Sequence, residues 1–406
     1  MPRPFRFLHT SDWHLGHELH GHHREEEHDA FLSWLLDALA EHGVDSLLMT
    51  GDVYDVANPA VTATQRFYGF LREATARCPN LHIVVLGGNH DSAHRINLPG
   101  ALLGKGRVHL IGNLPRCEGA LDFDRLLVPL PGEGGETMAW VAAIPFCRPG
   151  DLGAGDLASL YAEVIEAAHA RCEGLPIVVT GHLHIAGGDV STDSERRVVV
   201  GGEEAEAASL FDGRAAYVAL GHLHRPQDVG GTTTIRYAGS PFPMSASERR
   251  YRHSVSLVDL PSGGGPVKVE ELRVPRHAPF LALPDEDALP IEEVEALLAA
   301  YDFGQPATPG SFPFLEVAVA VTRPEPGLWA RVSAALEGRP VRLTRVRQVR
   351  PEGAGDGSIA AREEALAVLQ PEAVFAELHA RRHGGPPEEA LARAFAQLLI
   401  ETETAA

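Results

Sequence analysis

The chain has 406 residues, enough for two or three domains and a large buried core. Its 35 Lys and Arg against 55 Asp and Glu give a net charge of −20. That balance argues against a free-standing nucleic-acid binder, whose grip comes from basic side chains, but not against an enzyme that meets phosphates through divalent cations. No apolar run reaches the roughly 18 residues of a membrane span, and the opening MPRPFRFLHTSDWH lacks the apolar stretch of a signal peptide. Cys78, Cys117, Cys147 and Cys172 have no paired short spacing, so neither a disulfide framework nor a zinc knuckle is expected, and a reducing cytosol is the expected compartment.

Residues 4–9 predict a first strand. It runs into a loop holding Asp12 and His14, two positions apart, which face one point if the loop is extended. His17, His20, His22, His23 and His28 follow. They admit a further metal site or a polar loop, and the loop is the preferred reading. Phe31, Leu35, Leu36 and Leu39 mark residues 24–42 as an amphipathic helix stopped by Gly43. The stretch 45–55, DSLLMTGDVYD, organises the rest. Its apolar run predicts a buried strand that carries Asp52 to the carboxyl end, where open α/β sheets hold ligands. A helix over 60–77 and a strand over 81–87 come next, the strand ending in Gly87-Gly88-Asn89-His90-Asp91.

Short strands are expected at 107–111, 124–130 and 137–145, then a helix over 156–172. Strands at 175–180 and 215–220 end in Gly181-His182-Leu183-His184 and Gly221-His222-Leu223-His224. Segments 233–238, 253–259 and 267–274 read as successive antiparallel strands. Alternating α/β followed by a β-rich half predicts two packed sheets with helices outside. Prolines 275, 279, 284 and 290 mark a linker-like stretch before a small α+β module to residue 350. Its last strand carries Arg339, Arg342, Arg345, Arg347 and Arg350, either as the charged face of an edge strand or as a contact for DNA or a partner. Residues 351–358 read as a flexible linker, and 359–406 as helices that pack on this chain or fill a partner's groove.

The candidate ligands are Asp12, His14, Asp52, Asn89, His182, His222 and His224. This mixed oxygen and nitrogen set suits Mn, Fe or Zn better than Mg or Ca. Asp52 is read as the bridge between two ions. A lone Asp-x-His is weak evidence, but five such groups, each after a strand, are a strong combination.

In these groups the sequence resembles the calcineurin-like metallophosphoesterases, whose motifs run D-x-H, G-D-x-x-D, G-N-H-D/E, G-H and G-H-x-H. The flanks Thr10–Gly16, Gly87–Ser92, Ala219–His224 and Tyr237–Pro241 narrow the resemblance to the SbcD family of DNA-repair nucleases. The resemblance implies a two-sheet metallophosphoesterase sandwich flanked by helices over 1–274, a small α+β capping domain over 275–350, a linker and a helical tail. It implies two Mn ions per chain, with Mg, Fe or Zn as substitutes. Asp12, His14, Asp52 and His224 would hold one ion, and Asp52, Asn89, His182 and His222 the other. His90 would be the general acid, oriented by Asp55 or Asp91, and His184 a supporting neighbour of His182. Asp55 admits a second reading as a turn-capping carboxylate.

The implied activity is 3′–5′ degradation of double-stranded ends, internal cutting of single strands and hairpin opening. The chain would act in the cytoplasm at the nucleoid, in double-strand break repair. It would be a homodimer, with contacts from helices near 60–77 and 92–104, and would bind an SbcC-type ABC ATPase through its C-terminal helices. The competing readings are a small-molecule or cyclic-nucleotide phosphodiesterase on the same scaffold and a metal-free scaffold subunit.

Overall fold

The computed structural model describes residues 3–100, 106–153, 155–191, 195, 205–261 and 265–350, with 379, 387 and 391 beyond them. The expected linker 351–358 and nearly all of the expected tail helices lie outside the described residues.

In the first third, apolar runs of five or six residues form strands and 17-residue amphipathic stretches form helices. These are β1 (Phe5–Thr10), α1 (Glu25–Glu41), β2 (Ser46–Thr50), α2 (Val61–Arg77) and β3 (His82–Leu86), followed by β4 (Val108–Ile111). The four strands run parallel in the order β1-β2-β3-β4. Side chains alternate across the sheet. Leu8, Leu47 and Met49 point to the helix side, where Phe31, Leu35, Phe67 and Phe70 cover them. Phe7, Leu48 and Val84 point the other way, into the layer between the sheets.

The second sheet contains β5 (Leu127–Pro131), β6 (Thr137–Ala142), β7 (Ile177–His182), β8 (Tyr217–Gly221), β9 (Gln227–Val229) and β10 (Thr234–Tyr237). Its order is β9-β10-β8-β7-β6-β5. Helix α3 (Leu157–Arg171) covers its outer face through Leu160, Val164 and Ile165, while Val128, Val141, Val178 and Tyr217 face the first sheet. The layers are helix, sheet, sheet, helix, and each fully buried aliphatic side chain in them contributes about 1.5–3 kcal/mol of transfer free energy. Strands β11 (Ser254–Leu260) and β12 (Lys268–Arg273) return to the first sheet, which reads β12-β11-β1-β2-β3-β4.

A third sheet follows, of β13 (Phe280–Leu283), β14 (Phe314–Ala320) and β15 (Arg342–Val349), all parallel. Helices α4 (Ile291–Ala300) and α5 (Leu328–Ala335) make its crossovers. The module is tied to the entrance of α1. His22 Nε2 lies 2.8 Å from the Leu343 carbonyl, and Thr308 donates to Glu26 at 2.6 Å. The buried Arg24 guanidinium lies 4.5 Å from the Phe242 ring centre and 5.2 Å from that of Phe314.

Three sequence expectations are corrected. Segments 233–238 and 253–259 are not antiparallel neighbours. Strand β10 lies parallel to β8 in the second sheet, while β11 lies antiparallel to β1 in the first. The chain between them crosses the sandwich, a path that strand patterning does not encode. The proline-punctuated stretch after 275 is not all linker, because Phe280–Leu283 forms β13. Residues Phe123–Leu126 form a helical turn capped by Asp122, and the strand begins only at Leu127. Among the described residues no helix is long and apolar enough to cross a membrane.

Candidate metal centre

Strands β1, β2, β3, β7 and β8 all deliver their carboxyl ends to one edge of the sandwich. Just past these ends the backbone leaves ordinary space. Asp12 (φ 54°), His14 (φ 45°), Asp52 (φ 52°) and His222 (φ 100°) are non-glycine residues with positive φ. Such conformations cost about 1–3 kcal/mol each and collect where function fixes side-chain direction. Asp12 and His14 therefore converge through left-handed backbone, not through the extended loop that their spacing suggests. The two loops run side by side beyond the sheet. Asp12 N donates to Gly51 O at 3.0 Å and His14 N to Asp52 O at 3.0 Å. Gly88 is packed so closely on Asp52 that any Cβ there would collide with its carboxylate.

Around Asp52 the candidate donors interleave. Its Oδ2 lies 3.3 Å from His182 Nε2 and 3.7 Å from His14 Nε2, and its Oδ1 accepts the His90 N–H at 2.9 Å. Asp12, His14 and His224 each place a donor atom within 4.8 Å of the others, as do Asp12, Asp52 and His182. Asn89 Oδ1 lies 2.9 Å from His182 Nε2 and 3.1 Å from His222 Nδ1. All seven expected candidates thus meet in one cluster around Asp12 and Asp52. Both ring nitrogens of His14 are buried with no hydrogen-bond partner. Nδ1 faces the Asp55 carboxylate at 3.4 Å, while a buried nitrogen such as Nε2 left without a hydrogen bond costs about 1–3 kcal/mol, which a cation bound there would remove. This residue set fits divalent metal.

Neighbouring residues aim the ligands. His182 Nδ1 lies 2.8 Å from the Thr50 carbonyl, which keeps Nε2 for the centre. His224 Nδ1 lies 2.8 Å from Glu248 Oε1, and its backbone N–H donates to Glu195 at 2.7 Å. Glu248 is fully buried and also accepts from Met244 N at 2.8 Å. Sequence reasoning missed Glu195 and Glu248, which follow neither a strand nor a glycine signature. Asp91 accepts backbone N–H groups from Val53, Tyr54 and Gly88 and so clips the loops after β2 and β3 together.

His90 Nδ1 lies 2.7 Å from the Asp55 backbone carbonyl, whereas the Asp55 carboxylate sits 3.4 Å from His14 Nδ1. Of the two residues expected to orient His90, Asp55 contacts its ring, and it does so through its main-chain carbonyl. His184 lies beside the centre but in none of the ligand groups found among the described residues. His17, His20, His22, His23 and His28 also join none of them. His28 instead lies 3.1 Å from the His14 carbonyl and 2.9 Å from that of Arg24.

The electrostatics favour cation uptake. Burial pulls the His224 imidazole down, but the Glu248 carboxylate more than reverses this and raises its pKa to about 10. Burial likewise opposes charge on His182, and Asp52 raises it to about 9. Burial alone would push Asp52 up, yet His182, His14 and His90 hold it well below the usual carboxylate range. Without metal, protons on these histidines offset the buried carboxylates, and incoming cations would displace them.

A cavity of about 420 Å³ opens in front of His14, His90 and His224. A model of the calcineurin-like phosphoesterase family matches residues 5–226, a span that contains all seven candidate ligands. A second, described as the type 5 capsule protein repressor C-terminal domain, matches residues 278–383. SbcD of the SbcCD nuclease from Rhodobacter capsulatus is 41% identical over 387 residues, covering 91% of this chain and 93% of that protein. The protein of the same name from Escherichia coli K12 is 36% identical, covering 68% of this chain and 70% of its own length. That of Bacillus subtilis is 35% identical, covering 64% and 67%.

Proposed function

The chain belongs to the calcineurin-like phosphoesterase family, alongside the SbcD proteins of SbcCD nucleases, and from that membership we propose that it is a metal-dependent DNA nuclease of double-strand break repair. The observation that carries the reading is the His14 ring. Both its nitrogens are buried without a hydrogen bond, and it faces Asp12 and Asp52 at the mouth of an open cavity. Two Mn ions per chain are the proposed cofactors, with Asp12, His14, Asp52 and His224 holding one and Asp52, Asn89, His182 and His222 the other. When bound, such a pair clamps a phosphodiester, supplies a nucleophile at neutral pH and stabilises the attacking and leaving oxygens.

The rest of the reaction falls to this chain's own groups. A sugar alkoxide leaves poorly unless protonated, and His90 is the proposed donor through Nε2. Its Nδ1, fixed on the Asp55 carbonyl, sets the ring plane. Glu248 and Thr50 hold the proximal nitrogens of His224 and His182 so that the distal ones face the centre. The small parallel-sheet module forms a capping wall over the cleft, and the finer activities proposed are 3′–5′ trimming of duplex ends, cutting of single strands and opening of hairpins. An SbcC-type ATPase bound through residues 359–406, and homodimer formation, complete the proposal. The partner would supply the basic surface that a chain of net charge −20 lacks.

The test is Mn-dependent cleavage of an end-labelled hairpin duplex by the full chain, with and without the ATPase partner and ATP, next to bis-(p-nitrophenyl) phosphate. Asp52→Asn should lose both bound Mn and both activities. Full Mn content in that variant would overturn the bridging role. Hydrolysis of the small diester with DNA untouched under every condition would favour a small-molecule phosphodiesterase.

A further inference from the structure

The cleft before the candidate centre has a second wall, built by the C-terminal module. Phe280, Glu316, Thr344 and Arg345 line it opposite His14, His90 and His224. Arg345 is the single Lys or Arg among the lining residues, which also include the carboxylates Glu18, Asp55 and Glu316. In a chain this acidic, a polyanion entering the cleft meets one permanent side-chain cation among the described lining residues, apart from any bound metal.

Three other arginines of this segment, Arg339, Arg342 and Arg347, have partners in the module. Arg339 donates to the Ala299 carbonyl at 3.0 Å and lies over Phe303. Arg342 donates to the Phe312 carbonyl at 2.7 Å and stacks 3.6 Å from the Phe314 ring centre. Arg347 pairs with Glu316 at 3.5 Å. Arg345 is exposed, and its guanidinium has no hydrogen bond or ion pair among the described residues.

Its direction comes from an irregularity in the ladder. Leu315 pairs with Leu343, but the next residue, Glu316, pairs with Arg345, so Thr344 is an extra residue in β15. Consecutive residues of a regular strand point to opposite faces, whereas a bulge re-aims them. Thr344 and Arg345 accordingly line the same cavity. The bulge is held from both sides. Thr344 Oγ1 donates to the Leu315 carbonyl at 2.8 Å, and His22 of the first domain contacts the carbonyl of Leu343, next in the chain.

We propose that Arg345 is a substrate-positioning residue that binds a phosphodiester flanking the scissile one, so that the capping module selects a polynucleotide over a small diester. The inference rests on the nuclease reading above. A guanidinium suits the task because its planar fork takes two phosphate oxygens at once.

The experiment compares the full-length wild type, Arg345→Gln, Arg345→Lys and Arg331→Gln on a single-stranded oligonucleotide and on bis-(p-nitrophenyl) phosphate, both with Mn. Arg345→Gln should raise the oligonucleotide KM about tenfold, as expected for losing one charged hydrogen-bonded contact, with kcat and the small diester affected far less. The salt dependence of oligonucleotide binding should lose about 0.7 from its log–log slope, the signature of one phosphate contact on a single strand. Arg345→Lys should recover the slope but only part of the KM, and Arg331→Gln, whose guanidinium pairs with Glu292 and Glu295 away from the cleft, should match wild type on DNA. An unchanged KM and salt slope in Arg345→Gln, with wild type cleaving DNA, overturns the assignment alone. Wild type that hydrolyses the small diester but neither cleaves nor binds the oligonucleotide overturns the nuclease reading and this assignment with it.

Discussion

A carbonyl oxygen only accepts hydrogen bonds, so the Asp55 carbonyl 2.7 Å from His90 Nδ1 keeps a proton on that nitrogen and leaves proton exchange with substrate to Nε2. A donor at Nε2 matters only when the leaving oxygen needs a proton. His90→Gln should therefore slow DNA cleavage about a hundredfold or more, while p-nitrophenolate release from the small diester falls much less and bound Mn is retained. Equal losses on both substrates would remove His90 from the acid role. Glu248 acts one step back, through His224. Glu248→Gln keeps the side-chain shape and an acceptor for Met244 N but loses the charge on Nδ1. Mn affinity, followed by calorimetric titration, should weaken about 10- to 100-fold with little change in Tm. An unaltered affinity would make Glu248 a packing residue only. At this scale the sequence was legible where candidate ligands sit beside strand-end glycines, as with Asp52 and Asn89. It was not legible for Glu195 and Glu248, 29 and 24 positions from His224 along the chain, which only the folded loops bring back. The atom of Asp55 that meets His90 was likewise hidden, since a main-chain contact leaves no mark on residue type.

Helix α1 performs two tasks at its entrance. Its body covers the first sheet through Phe31 and Leu35, while Arg24, just before it, reaches between Phe242 and the Phe314 of β14. Arg24 pairs with Glu27 at 2.7 Å, and both side chains are almost wholly buried. Removing one partner of such a pair strands the other charge in the interior, at a cost of about 3–5 kcal/mol. Arg24→Ala should lower the urea-unfolding free energy by that amount, and adding Glu27→Leu should restore much of it. A loss under about 1 kcal/mol in the single variant would mean that water reaches the pair. The periodicity of Phe31, Leu35 and Leu39 announced this helix to within a residue or two, because a one-sided apolar stripe is a local property. Strand β13 was missed because four residues between prolines carry too little pattern. The placement of β10 and β11 in different sheets was missed because pairing partners are set by the path of residues 238–253, not by the strands themselves.

Across the molecule, the parallel strands of two sheets present their carboxyl ends at one edge, and that single geometric fact turned a series of short motifs into one centre. It was legible in advance because each motif follows an apolar run and a glycine or polar turn. The sequence was silent on what loosens the sandwich at acid pH. His9, between Tyr217 and Thr50, and His253, beside the Ser240 carbonyl, are buried far from bulk water. Burial, helped by Arg236, lowers His9 to about 3, and burial lowers His253 to about 4; His28 is lowered to about 4 by burial and by Arg24. Each is neutral when folded and takes up a proton near pH 6.5 when unfolded. The unfolded chain then binds more protons, so stability from these groups is fully present above pH 6.5 and is lost as pH falls toward 4. Each adds up to about 1.4 kcal/mol per pH unit in that window. Saturating Mn should be present, so that the protons of His182 and His224 are displaced and do not oppose the trend. Urea midpoints between pH 7.5 and 4.5 should fall steeply below about 6.5, and His9→Gln should flatten the slope by roughly one proton. A midpoint that holds level to pH 5 would mean that these three histidines are already protonated in the folded protein.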